Sequence, residues 1–96
     1  MLYLITYDVS TVTPEGRKRL RWVSRECENY GVRVQNSVFE CNLNSESFQE
    51  LKHRLCLLIN PSVDSLRFYP LGKSGAEKVV HVGSKSVIDV TAPLII

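Results

Sequence analysis

Asp8 ends an apolar run, Met1-Leu2-Tyr3-Leu4-Ile5-Thr6-Tyr7, and the chain soon afterwards carries Arg17, Lys18, Arg19, Arg21 and Arg25 with no acid among them. A carboxylate in a buried strand is costly unless a partner, a metal or water holds its charge, so Asp8 is the first candidate for chemistry. A strand-end aspartate that caps a turn is the competing reading. Five of the twelve basic residues fall between positions 17 and 25, and an unopposed run of that density suits a polyanion such as nucleic acid better than plain solvent. One carboxylate does not make a metalloenzyme. Mg²⁺, however, is commonly held by one or two carboxylates plus water and substrate phosphate, so two copies of Asp8 meeting at a dimer axis would suffice, with Mn²⁺ as an expected substitute.

Other chemistry-bearing residues give weaker signals. Glu40 is a candidate second ligand, against the plainer reading of a charge facing solvent across a strand. His53 and His81 are the types needed for a ribonuclease acid and base, but nothing in the sequence brings them together. Gly72-Lys73-Ser74-Gly75 lacks the reach of a GxxxxGK[ST] phosphate loop and is expected to be a turn. Trp22, beside the basic run, is either used at the same surface or anchors an interface. Cys27, Cys41 and Cys56 are odd in number, lack CxxC spacing and sit within apolar patterns, which indicates buried reduced thiols.

The elements that must position these residues follow from periodicity. Residues 2 to 9 form a strand with Tyr3, Ile5, Tyr7 and Val9 on one face and Leu2, Leu4, Thr6 and Asp8 on the other. Thr13-Pro14 starts a helix whose stripe is Leu20, Val23, Cys27 and Tyr30, stopped by Gly31. On that helix Arg17, Lys18, Arg21 and Arg25 point away from the stripe, while Arg19 sits at its border and leans toward the sheet. Residues 32 to 43 make two short strands reversing near Asn36-Ser37. Asn44 and Ser45 offer caps for a second helix, Ser47 and Glu50 fit a capping box, and Phe48, Leu51, Leu55 and Leu58 supply its stripe until Asn60-Pro61. Strands at about 64 to 71 and 78 to 83 complete the series.

The order β-α-β-β-α-β specifies an α+β, ferredoxin-like plan with two helices on one face of an antiparallel sheet, residues 1–96 forming a single domain. Two helices cover one sheet face only, yet the first strand is apolar on both, so a homodimer packed sheet to sheet is expected. Residues 84–96 form an apolar tail expected to add a further C-terminal edge strand to its own sheet or to its partner's. With 44% hydrophobic residues, 23% charged and a net charge of +2, composition is that of an ordinary globular domain. The opening run has no basic leader and no stretch reaches the length of a membrane span, so a cytoplasmic protein without a membrane partner is expected.

Tyr7-Asp8-Val9, the run Arg17-Lys18-Arg19-Leu20-Arg21 and above all Arg33-Val34-Gln35-Asn36-Ser37-Val38-Phe39-Glu40 closely resemble the second Cas protein, the small CRISPR-associated endonuclease family of the adaptation module. The likeness extends over essentially the whole chain, including Asp64-Ser65-Leu66-Arg67-Phe68-Tyr69, and the tail is similar to the variety accompanying type I-C systems. The resemblance implies a homodimer in which Asp8 of each protomer binds one divalent metal between them. It further implies nuclease roles for Arg19, Arg21, Arg33 and Phe39, action on single-stranded RNA or duplex DNA, and a bridging role between dimers of the integrase, the first Cas protein. Nucleic-acid contacts are thus expected from Arg17, Lys18, Arg19, Arg21, Arg25 and Arg33. The alternatives are a non-catalytic DNA platform for the integrase and a toxin-type ribonuclease of the same fold.

Overall fold

The computed structural model describes residues 1–72 and 80–83. The expected turn over Gly72-Lys73-Ser74-Gly75, beyond Gly72 itself, and the tail at 84–96 lie outside the described residues. The element order is β1 (Leu2–Asp8), α1 (Pro14–Glu28), β2 (Gly31–Gln35), β3 (Val38–Asn42), α2 (Ser45–Leu58), β4 (Ser65–Pro70) and β5 (Val80–Gly83). These five strands form one sheet in the order β2-β3-β1-β4-β5, every neighbouring pair antiparallel. That is the ferredoxin-like arrangement with a fifth strand beside the fourth.

Local chemistry sets the boundaries. Thr13 caps α1 by accepting a hydrogen bond from the Gly16 N–H at 3.0 Å, and Pro14 occupies the first turn, where its missing donor costs nothing. The helix ends at Glu28 rather than running to Gly31. Gly31 instead opens β2, and glycine is needed because a Cβ there would stand 1.9 Å from the Glu40 carbonyl oxygen. At α2 the capping box joins Asn44 and Ser47, not Ser47 and Glu50: Asn44 Oδ1 accepts from the Ser47 N–H at 2.8 Å, and Ser47 Oγ accepts from the Asn44 N–H at 2.9 Å. A box spans the cap and the third helical residue, and the cap is Asn44. Glu50 accepts from the Tyr30 hydroxyl at 2.6 Å instead.

Both helices pack on one face of the sheet. Val23 and Cys27 of α1 and Leu51 and Leu55 of α2 lie buried with Ile5, Tyr7, Phe39, Cys41, Leu66 and Phe68, each large apolar side chain contributing about 1.5–3 kcal/mol at full burial. Phe48 stacks on Tyr3 at 4.8 Å between centroids and meets Phe68 edge-on at 5.4 Å, which pins α2 to the sheet. Cys27 and Cys41 are free and buried as expected; Cys56 is free but only half-buried.

The opposite face carries Leu2, Leu4, Thr6 and Asp8, with the cross-strand partners Val38, Glu40, Ser65, Arg67 and Tyr69. It is less bare than the sequence suggests. Leu4, Val38 and Tyr69 form a second buried cluster there, so the exposed apolar residues of this face include Leu2 and Val32 at its rim. No described helix is long and apolar enough to cross a membrane.

Candidate active site and nucleic-acid groove

Asp8 is the last residue of β1, opposite Ser65 of β4 on the helix-free face. It is exposed, so the desolvation cost that drew attention to it does not apply. That cost falls on Asp64, the residue before Ser65, which is completely buried. Arg19 Nε donates to Asp64 Oδ2 at 2.8 Å and Arg19 Nη2 to Oδ1 at 3.2 Å, a two-pronged ion pair. The Tyr7 hydroxyl and the Asn60 N–H, the latter at 3.0 Å, also donate to Oδ2. Gly83 closes over the same residue with φ +124, where a Cβ would stand 2.1 Å from the Asp64 carbonyl oxygen.

Burial raises the pKa of the Asp64 carboxyl, but the hydrogen bonds from Arg19, Tyr7 and the Asn60 N–H outweigh it and hold the group below the usual carboxylate value. Burial and the adjoining Asp64 carboxylate push the Tyr7 phenol well above its ordinary range. The hydrogen bond to Asp64 also raises the Arg19 guanidinium pKa. Arg19, expected to contact nucleic acid, thus spends Nε and Nη2 on Asp64. Because Tyr7 immediately precedes Asp8 and Asp64 immediately precedes its partner Ser65, this buried cluster fixes the strand ends that carry Asp8. Sequence reasoning missed Asp64; the signal was the one applied to Asp8, an acid bordering an apolar strand.

Arg17, Arg21, Arg25 and Arg33 do come together. They line a groove of about 520 Å³ between α1 and the β2–β3 hairpin, floored by Leu20 and Ser24 and joined by Thr11, Glu28 and Asn36. Arg17, Arg21 and Arg25 recur every fourth residue and therefore share one helix face. Arg17 Nη1 donates to the Thr11 and Val12 carbonyls at 2.9 and 3.1 Å, tying the groove to the loop that follows Asp8. Arg33 donates from Nε and Nη2 to the Asn36 carbonyl at 2.8 and 2.6 Å and lies over the Phe39 ring, 5.9 Å from its centroid. Phe39 itself is fully buried. Its ring lies under the Arg33 guanidinium and supports it from the core side. Lys18 departs from the groove: its ammonium sits 4.9 Å over the Trp22 ring.

Glu40 does not reach Asp8. It pairs with Leu4, four residues back along the same strand, or roughly 13 Å. His53 is on α2, whereas His81 lies on the helix-free face, opposite Arg67 and 3.2 Å from Ser65 Oγ; the sheet separates the two. Burial, then the Arg67 charge, lowers the His81 pKa. No three His, Cys, Asp or Glu side chains converge as a metal site among the described residues. Asp8 is thus a single carboxylate at its strand end, without a cluster of three such ligands around it among the described residues.

A ferredoxin-like sheet with an exposed strand-end carboxylate and a groove lined by four arginines defines a small α+β domain with one strongly basic surface. Residues 1–79 match the family described as CRISPR associated protein Cas2, and the chain belongs to that family. A relative from Halalkalibacterium halodurans, named CRISPR-associated endonuclease Cas2, is 54% identical over 95 residues, 99% of each chain. One from Rhodospirillum rubrum, named CRISPR-associated endoribonuclease Cas2 3, is 50% identical over 99% of this chain and all of its own. The crystal structure of Streptococcus pyogenes Cas2 at pH 6.5 aligns with a TM-score of 0.74 at 53% identity, covering 86% of this chain and 100% of that one.

Proposed function

We propose that this chain is a divalent-metal-dependent endonuclease of CRISPR adaptation, acting as a homodimer on phosphodiester bonds in RNA or DNA. The observation that carries the reading is the groove of Arg17, Arg21, Arg25 and Arg33 beginning at the loop after Asp8. Thr11, on its wall, is three residues from Asp8, so the two Cα atoms lie within about 11 Å. A phosphate backbone at the Thr11 wall of the groove thereby lies at the same end of β1 as Asp8. The nuclease names of the relatives support the activity, and the resemblance of the tail to the variety accompanying type I-C systems supports that subtype.

Asp8 and its copy in a second protomer would hold Mg²⁺ or Mn²⁺. Such an ion supplies a Lewis acid for the scissile phosphate and an activated water. Arg17, Arg21 and Arg33 neutralise phosphate charge along the groove, with the Asn36 carbonyl and the Phe39 ring holding Arg33 in place. Arg19 serves as a positioning residue through Asp64. The same dimer and groove suit a DNA platform bridging integrase dimers, a role compatible with cleavage.

The test is cleavage of single-stranded RNA, single-stranded DNA and duplex DNA with Mg²⁺, Mn²⁺ or EDTA, comparing the wild type with Asp8→Ala while light scattering monitors the dimer. Cleavage that needs metal, is lost in Asp8→Ala and leaves the dimer intact is expected. If the variant cuts as well as wild type with metal present, the assignment of Asp8 is wrong.

A further inference from the structure

One aromatic side chain adjoins the groove without belonging to it. Trp22 is 37% exposed on α1, and with Arg25, Glu26 and Leu58 it lines a second depression of about 260 Å³. Arg25 lines both hollows, so a strand lying along Arg17, Arg21 and Arg25 reaches Trp22 without leaving the protein surface. The two hollows differ in chemistry. The groove has four arginines against the single carboxylate of Glu28, whereas in the depression Arg25 is balanced by Glu26 and the rest of the lining is the indole and Leu58. Glu26 disfavours a phosphate inside it, while the indole and Leu58 suit a flat, uncharged ring. The Lys18 ammonium lies over one face of that ring, 4.9 Å from its centroid, so a base stacks on the face turned to the depression and Lys18 supplies a cation for a flanking phosphate.

We propose that Trp22 is a base-stacking platform for an unpaired nucleotide, with Arg25 and Lys18 holding the adjacent phosphates, so that single-stranded nucleic acid is the preferred occupant. This rests on the nuclease reading and names its substrate class. An aromatic face takes any base, so sequence preference is weak. A blunt duplex keeps its bases inside the stack and cannot present one to Trp22 without fraying.

Trp22 is the chain's only tryptophan, which makes its emission a direct report of the site. In EDTA, to separate binding from cleavage, the whole protein is titrated with a single-stranded adenine homopolymer and with a blunt duplex of equal length. The single strand should quench Trp22 and the duplex should leave its emission nearly unchanged. By anisotropy of an end-labelled strand, Trp22→Phe should bind nearly as wild type. Trp22→Leu, which keeps apolar bulk but removes the π face, should bind the single strand about ten- to a hundredfold more weakly, yet the duplex as before. Salt-dependent strand binding with no emission change and no loss in Trp22→Leu overturns the stacking site and leaves the groove standing, with a protein partner the alternative occupant of Trp22. Absence of binding to either polymer overturns both.

Discussion

Two aspartates end up one residue apart across the β1–β4 ladder, Asp8 opposite Ser65 and Asp64 just before it, and they have opposite characters. Asp64 is sealed in the core with four donated hydrogen bonds, whereas Asp8 stands exposed at the strand end. A carboxylate sealed in the core among protein donors is out of reach of solvent and substrate, whereas one exposed at a strand end is open to both. The pair shows that an acid bordering an apolar strand is a marker of importance but does not say which kind; burial decides between structural anchor and chemical group.

The contrast is broken most directly by exchanging losses. Asp8→Asn should reduce metal-dependent cleavage about a hundredfold or more, as expected when several kcal/mol of transition-state stabilisation disappear. Its stability should change by no more than about 0.5 kcal/mol, the range for exposed sites. A large fall in the melting temperature of Asp8→Asn would show that the two aspartates are not so divided.

Asp64→Asn should do the reverse. Leaving Arg19 without its counter-charge costs about 3–5 kcal/mol, or a fall of at least about 12 °C in Tm for a domain of this size. Below that temperature, residual cleavage should persist. Arg19→Met combined with Asp64→Leu should be markedly more stable than the sum of the single variants, because the pair is removed together.

Acid titration sharpens the comparison further. The folded pKa of Asp64 is depressed from the ordinary value of 3.8, so its stabilising contribution is present above that value. It is lost as pH falls through the lower folded value. Thermal denaturation from about pH 5 down to about pH 2 should therefore show Tm falling steeply in wild type and less steeply in Asp64→Asn.

The smallest effect concerns the groove. Arg17→Ala, Arg21→Ala and Arg25→Ala should each flatten the dependence of log binding constant on log salt by about 0.9 units for a duplex or about 0.7 for a single strand. Arg19→Lys should leave the slope unchanged, since Arg19 already pairs with Asp64. A reduced slope in Arg19→Lys would put Arg19 among the phosphate contacts.

Much of the fold was legible because its elements are locally consistent. The stripes Leu20, Val23, Cys27 and Phe48, Leu51, Leu55 do face the core, the alternation in β1 assigns the correct faces, and Asn36-Ser37 reverses the chain. The misread details are those where a residue type serves two purposes. Gly31 looked like a helix stop and is a close-approach residue in a strand. Glu50 looked like a capping partner and takes the Tyr30 hydroxyl. Arg33 and Phe39 are cross-strand partners, a relation visible only once the register of β2 on β3 is known.

From the sequence alone came the basic helix, the strand-end Asp8, the β-α-β-β-α-β order and the resemblance to the family, because periodicity, charge clustering and short strings of residues are properties of neighbours in the chain. Tertiary structure alone decided that Arg19 is occupied by Asp64 and that Arg33 joins Arg17, Arg21 and Arg25 in one groove. Those outcomes rest on contacts between residues as many as 45 positions apart. Whether a side chain finds water, a counter-charge or a ring is fixed by packing that no local pattern encodes.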